Sequence, residues 1–119
     1  VENEFKQVLL VLFNNSKDAI KELLQHKTIE NGSLAISLKI VEDSVVIEVR
    51  DNAGGIKPEI MEEIFSPYFT TKAENNGTGI GLYIAKNIIE TRMEGSISVQ
   101  NIDKGSCFTI TLKLDRKNI

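Results

Sequence analysis

The chain has 119 residues, 41% hydrophobic and 26% charged, with a formal net charge of -3. That suffices for one core and not for two, so residues 1–119 are expected to form a single domain. The mildly acidic balance argues against nucleic acid as a partner, because sequence-independent binding needs clustered Lys and Arg. One cysteine, Cys107, excludes an intrachain disulfide, and its strand-like setting suits a small packed residue better than a reactive thiol. The longest apolar stretch, Val8 to Phe13, is too short to span a bilayer, and no leader peptide is visible. The expectation is a cytoplasmic domain, compatible with a membrane-anchored parent chain.

In chain order, residues 4–24 read as a helix, with Phe5, Val8, Leu9, Leu12, Ser16, Ala19, Ile20 and Leu23 on one face. Residues 25–33 are polar and loop-like. Leu34 to Val41 alternates, placing Leu34, Ile36, Leu38 and Ile40 on one side. After the turn at Glu42-Asp43-Ser44, residues 45–51 form a second strand with Val45, Ile47 and Val49 inward, which makes a hairpin. Pro58 can open a short helix reaching about Phe65. Residues 66–79 form a loop long enough to be functional. Residues 80–93 read as the third helix, stopped by Gly95. Residues 97–101 and 106–114 close the chain as a hairpin around Asp103-Lys104-Gly105. The order predicts an α+β two-layer sandwich, with helices on one face of a mixed, mostly antiparallel sheet.

Two polar residues share the apolar faces of these strands. Asp51 ends the row Val45, Ile47, Val49, and Ser106 begins the row Phe108, Ile110, Leu112. A buried carboxylate is costly unless hydrogen bonds satisfy it. Asp51 therefore either caps the turn that follows or stands at the bottom of a pocket, ready for a donor such as a purine amino group. On the first helix Asn15 falls at the margin of the apolar face and Asn14 points away. Asn15 is either a satisfied rim amide or an oxygen ligand for a hard cation such as Mg²⁺.

Gly77-Thr78-Gly79-Ile80-Gly81 leads directly into a helix. Closely spaced glycines let backbone N–H groups approach an anion, and a helix start adds partial positive charge, so this is a candidate phosphate cradle. It lacks the Gly-Lys-Ser/Thr of a Walker A loop and the preceding strand of a Rossmann fingerprint. Taken alone it also fits a flexible turn with tight helix packing.

Together the segments are more specific. Residues 7–19, with Asn14-Asn15-Ser16-Lys17-Asp18-Ala19, resemble the asparagine box of bacterial sensor histidine kinases. Asp51-Asn52-Ala53-Gly54-Gly55-Ile56 is similar to their first glycine box. Ile64-Phe65-Ser66-Pro67-Tyr68-Phe69-Thr70-Thr71-Lys72 is similar to the phenylalanine box, and Gly77 to Leu82 to the second glycine box. The resemblance covers nearly the whole chain. It implies the ATP-binding catalytic domain of such a kinase, with the Bergerat fold of the superfamily shared with DNA gyrase, mismatch-repair ATPases and heat-shock chaperones. The strand and turn that usually precede the asparagine box are expected to lie outside this sequence.

What the resemblance implies is specific. Asp51 accepts from the adenine amino group, and Ser106 supplies a hydroxyl bridging that carboxylate and the base. Gly55 and Ile56 let the chain pass close to the purine. Asn15 coordinates Mg²⁺. Residues 66–79 form a mobile ATP lid anchored by Phe65 and Phe69. Gly77, Thr78, Gly79, Ile80, Gly81 and Leu82 line the nucleotide, and Lys72 is a candidate phosphate contact. The activity implied is transfer of the γ-phosphoryl group of Mg-ATP to a histidine on a separate dimerisation domain. The parent would be a homodimer with a response regulator downstream, and the isolated domain a monomer. His26, the single histidine, lies in a polar loop without the family's phosphoacceptor context.

Departures from the pattern bear on chemistry. Val11 stands where the superfamily's ATPases carry a glutamate that activates water, and valine cannot take a proton. This disfavours an ATPase, one of the two rival readings. The other rival is a degenerate nucleotide-binding or interaction module. Asp18 stands where many relatives place a basic residue, which leaves Lys17 and Lys72 as candidate cations.

Overall fold

A computed structural model describes residues 2–27, 31–67 and 81–113. Four strands, β1 (Leu34–Val41), β2 (Ser44–Asp51), β3 (Ser96–Ile102) and β4 (Gly105–Lys113), form one sheet in the order β1-β2-β4-β3. Every pairing is antiparallel, so among the described residues the expected mixed sheet is wholly antiparallel. Both hairpins turn on a non-glycine residue with positive φ, Glu42 at 54° and Lys104 at 63°. The β2–β4 register runs Val45↔Leu112, Ile47↔Ile110, Val49↔Phe108 and Asp51↔Ser106. The period-two alternation of both strands therefore builds one continuous apolar face that ends on a carboxylate beside a hydroxyl.

Helix α1 (Glu2–Gln25) and helix α2 (Gly81–Asn87) cover that face. Val8 and Leu12 of α1 and Ala85 of α2 are fully buried with Val49 and Ile110, and Ile47, Ile97 and Phe108 complete the core. The third helix begins at Gly81, the expected Ile80 lying outside the described residues. It is not α-helical to its end: Ile88–Arg92 form a π-helical turn, closed by the Met93 N–H donating to the Ile88 carbonyl at 3.0 Å. The wider turn lets the consecutive Ile88 and Ile89 both enter the core. The short helix expected from Pro58 to about Phe65 is one 3₁₀ turn, Pro58–Ile60, followed by irregular turns that still bury Ile64.

One strand departs from its pattern. Leu34, Ile36, Leu38 and Ile40 of β1 lie on the same sheet face as the core, since Leu38 is opposite Ile47 and Ile36 opposite Val49. Yet Leu38 is 65% exposed and Ile47 only 4%. Among the described residues the helix layer reaches β2, β4 and β3 and stops short of the edge strand. No described helix is long and apolar enough to cross a membrane.

Candidate nucleotide-binding site

At the end of the core the apolar face gives way to Asp51, which is 7% exposed. Its carboxylate is richly supplied with donors. Oδ1 accepts from the Ala53 backbone N–H at 3.0 Å and the Ser106 backbone N–H at 3.2 Å. The Ser106 hydroxyl lies 3.3 Å from Oδ1 and 3.2 Å from Oδ2. The Ser16 hydroxyl of α1 donates to Oδ2 at 2.7 Å. The carboxylate thus caps the turn after β2, as the first of its two readings has it, and is buried where helix and sheet meet.

Asn15 is half-buried and Asn14 exposed, as the helical wheel places them. Asn15 directly precedes Ser16, so the turn of α1 bearing the candidate metal ligand is tied by the next side chain to Asp51. Ser16 is 2% exposed. The sequence puts it on the apolar face without assigning it a role. A lone hydroxyl in an otherwise apolar stripe is the signal that could have marked it.

The turn after β2 is shaped by close contact. Gly54 and Gly55 have φ of 86° and 80°, which L side chains rarely adopt. The Gly54 N–H donates to the Lys104 carbonyl at 3.0 Å, pinning the turn to the β3–β4 hairpin. A Cβ on Gly105 would collide with the Asp51 carbonyl group. Asn101 grips the turn with both ends of its amide: Oδ1 accepts from the Ile56 N–H at 2.7 Å, and Nδ2 donates to the Ile56 carbonyl at 2.8 Å. Asn52 does likewise for the segment after α1, accepting from the Ser33 N–H and donating to the Asn31 carbonyl. Neither role of these asparagines is visible in local sequence.

Of the phenylalanine box, Phe65 packs edge-on to Phe108 with ring centroids 6.2 Å apart, and the Lys86 ammonium lies 5.5 Å from its centroid. Phe65 is therefore docked on the sheet, at the point where the expected lid departs. Phe69, Lys72, Gly77, Thr78, Gly79 and Ile80 lie outside the described residues. A Cβ on Gly81 would sit 3.3 Å from Val11 Cγ1, so this glycine serves close packing of α2 on α1. Leu82 and Ile56 are half-buried against the core. Lys17 is exposed and Asp18 half-buried.

Among the described residues no group of three or more His, Cys, Asp or Glu could hold a metal ion. Mg²⁺ is usually bound through one or two carboxylates with substrate phosphates and water completing the shell, and the Asn15 amide offers one neutral oxygen of the same hard type. A cavity of about 540 Å³ lies elsewhere, between Glu4 and Gln7 of α1 and Ile84, Asn87, Ile88, Thr91 and Arg92, and includes none of Asn15, Ser16, Asp51, Gly55, Ile56 or Ser106. On the outer sheet face Arg50 pairs with Glu48 at 3.1 Å. Its guanidinium is raised above its ordinary range by the Cys107 thiol and by Glu48.

The fold and the four boxes define an ATP-binding catalytic domain of the kind found in histidine kinases, and comparison with known proteins agrees. Residues 1–116 match the family described as histidine kinase-, DNA gyrase B-, and HSP90-like ATPase, and the chain belongs to it. The curated relatives it resembles are a two-component sensor and sensor histidine kinases. The chain is 44% identical over 108 residues to the sensor histidine kinase ZraS of Salmonella typhimurium, covering 89% of this chain and 21% of that protein. It is 34% identical over 114 residues to the two-component sensor PprA of Pseudomonas aeruginosa, covering 94% of this chain and 12% of that one. The chain thus spans about a fifth or less of these relatives. The nucleotide-free catalytic domain of histidine kinase ThkA superposes with a TM-score of 0.78 at 34% identity, covering 93% of this chain and 66% of that chain. The mycobacterial sensor histidine kinase MprB shares the fold, with a TM-score of 0.78 at 17% identity.

Proposed function

We propose that this chain holds Mg-ATP between α1 and the end of the sheet, and presents its γ-phosphoryl group to a histidine on a separate dimerisation domain. The observation that carries the reading is the buried Asp51 carboxylate, held by donors from three segments, on a helix–sheet junction that also carries Asn15. Asp51 accepts from the adenine amino group, with Ser106 beside it. Gly55 and Ile56, fixed by Asn101, give the purine a backbone wall. Asn15 would hold Mg²⁺ together with the phosphates, and the ion would supply positive charge there. Residues 77–80, with Gly81 and Leu82 opening α2, border the phosphates, and Lys72 contacts them from the lid, about residues 66–79.

Catalysis in this reading is positioning and electrostatics. The base is locked at Asp51, and the phosphate chain then runs back toward Asn15. A neutral imidazole nitrogen attacks the γ-phosphorus, the bond to the β–γ bridging oxygen breaks and ADP leaves, with no need of a base at position 11. Val11 has no proton acceptor and is packed against Gly81 at the site where a hydrolase needs a base to activate water. The parent protein is then a cytoplasmic-facing homodimeric kinase that passes the phosphoryl group to a response regulator.

Calorimetric titration with ADP or a non-hydrolysable ATP analogue, with and without Mg²⁺, tests the reading. Saturable binding that collapses in Asp51→Ala, and weakens without Mg²⁺, is the expected result. A folded parent protein that binds neither nucleotide overturns it. Labelled phosphate appearing on an added histidine-bearing dimerisation domain, rather than as free phosphate, separates the kinase from a hydrolase.

A further inference from the structure

Ala85 of α2 is fully buried, so the helix backbone is fixed on the core at that point, and the next residue, Lys86, is half-buried. Among the described residues the Lys86 ammonium has no carboxylate partner. It lies instead over the Phe65 ring, 5.5 Å from the centroid. A cation there is attracted by the ring quadrupole, more strongly where water is partly excluded. Phe65 in turn meets Phe108 edge-on, with centroids 6.2 Å apart and an interplanar angle of 90°. Phe108 is the next inward residue of β4 after Ser106, and Ser106 is opposite Asp51 in the β2–β4 register. Two residues along a strand span roughly 7 Å. The ring on which Phe65 rests is therefore one inward position from the base end of the proposed pocket.

We infer that Lys86 is a positioning residue for the nucleotide. Its charge keeps Phe65 seated on Phe108, and Phe65 so seated walls the pocket on the side of Ser106. Lys86 acts through the ring and not on the ligand. Its contribution is preorganisation: the wall is in place before the ligand arrives, so less ordering is left to be done on binding. The inference rests on the nucleotide reading above and adds to it the residue that holds one wall of the pocket.

The experiment is calorimetry of the whole chain with ADP and with adenosine, which has the base but no phosphates. Lys86→Met keeps an unbranched, helix-favouring side chain and removes the charge. It is expected to weaken both ligands by about fivefold, the worth of one cation–π contact at a partly desolvated site. Lys86→Arg, which keeps a cation for the ring, is expected to bind both as the parent does. In a Phe65→Leu background, Lys86→Met is expected to have no further effect. Affinities unchanged in Lys86→Met overturn the inference, and so does a Lys86→Arg variant as weak as Lys86→Met. A loss confined to ADP overturns it as well, because the ammonium would then be acting on the phosphates. A loss that persists without the Phe65 ring has the same consequence. Should Phe65→Leu not fold, the contrast between adenosine and ADP separates the two routes by itself. A parent that binds neither ligand fails the nucleotide reading, and the inference falls with it.

Discussion

Asn101 shows how a single side chain can fix a binding wall. Its amide satisfies both backbone groups of Ile56 at 2.7 and 2.8 Å, and its Oδ1 would stand 2.9 Å from a Cβ on Gly55. Asn101→Ala removes both hydrogen bonds to Ile56, which are exposed enough for water to replace them in part, at a cost of about 0.5–1.5 kcal/mol. A lower urea midpoint with an unchanged slope is the expected signature. Asp51 and Ser106 were legible because period-two counting needs only neighbours in sequence. The bonds Ser16–Asp51 and Asn101–Ile56 join residues 35 and 45 positions apart, and no local pattern encodes such pairings. The loop at residues 66–79 was read from its length and turn residues and the role of Lys72 from the family resemblance, and residues 68–80 lie outside the described residues.

At the scale of elements, β1 separates what periodicity says from what it omits. Alternation correctly put Leu34, Ile36, Leu38 and Ile40 on one side. It could not say how far the overlying helices extend, which depends on where α1 crosses the sheet. Register neighbours Leu38 and Ile47 therefore diverge, at 65% and 4% exposure. Leu38→Ser should change stability by no more than about 0.5 kcal/mol, whereas Ile47→Ala should cost about 2–5 kcal/mol. Denaturant unfolding of the two variants beside the parent checks the contrast; equal losses would mean that β1 is covered. The π turn Ile88–Arg92 was equally hidden, because consecutive apolar residues suit the end of an α-helix as well as a wider turn.

For the molecule as a whole, the proposed site belongs to neither layer. Asp51 comes from the sheet, Ser16 and Asn15 from α1, and the bond between Ser16 and Asp51 spans the junction at 2.7 Å. An unfolded chain cannot assemble these groups, so a nucleotide that binds here binds only the folded form. It becomes a thermodynamic weight on the folding equilibrium, adding about 2.7 kcal/mol at a hundredfold excess over its Kd. The melting temperature should then climb with ADP concentration in the parent and stay flat in Asp51→Ala. For such a domain the nucleotide level of its surroundings is also a setting of its lifetime: depleted of ATP, it would sample the unfolded state, and meet proteases, about a hundred times more often.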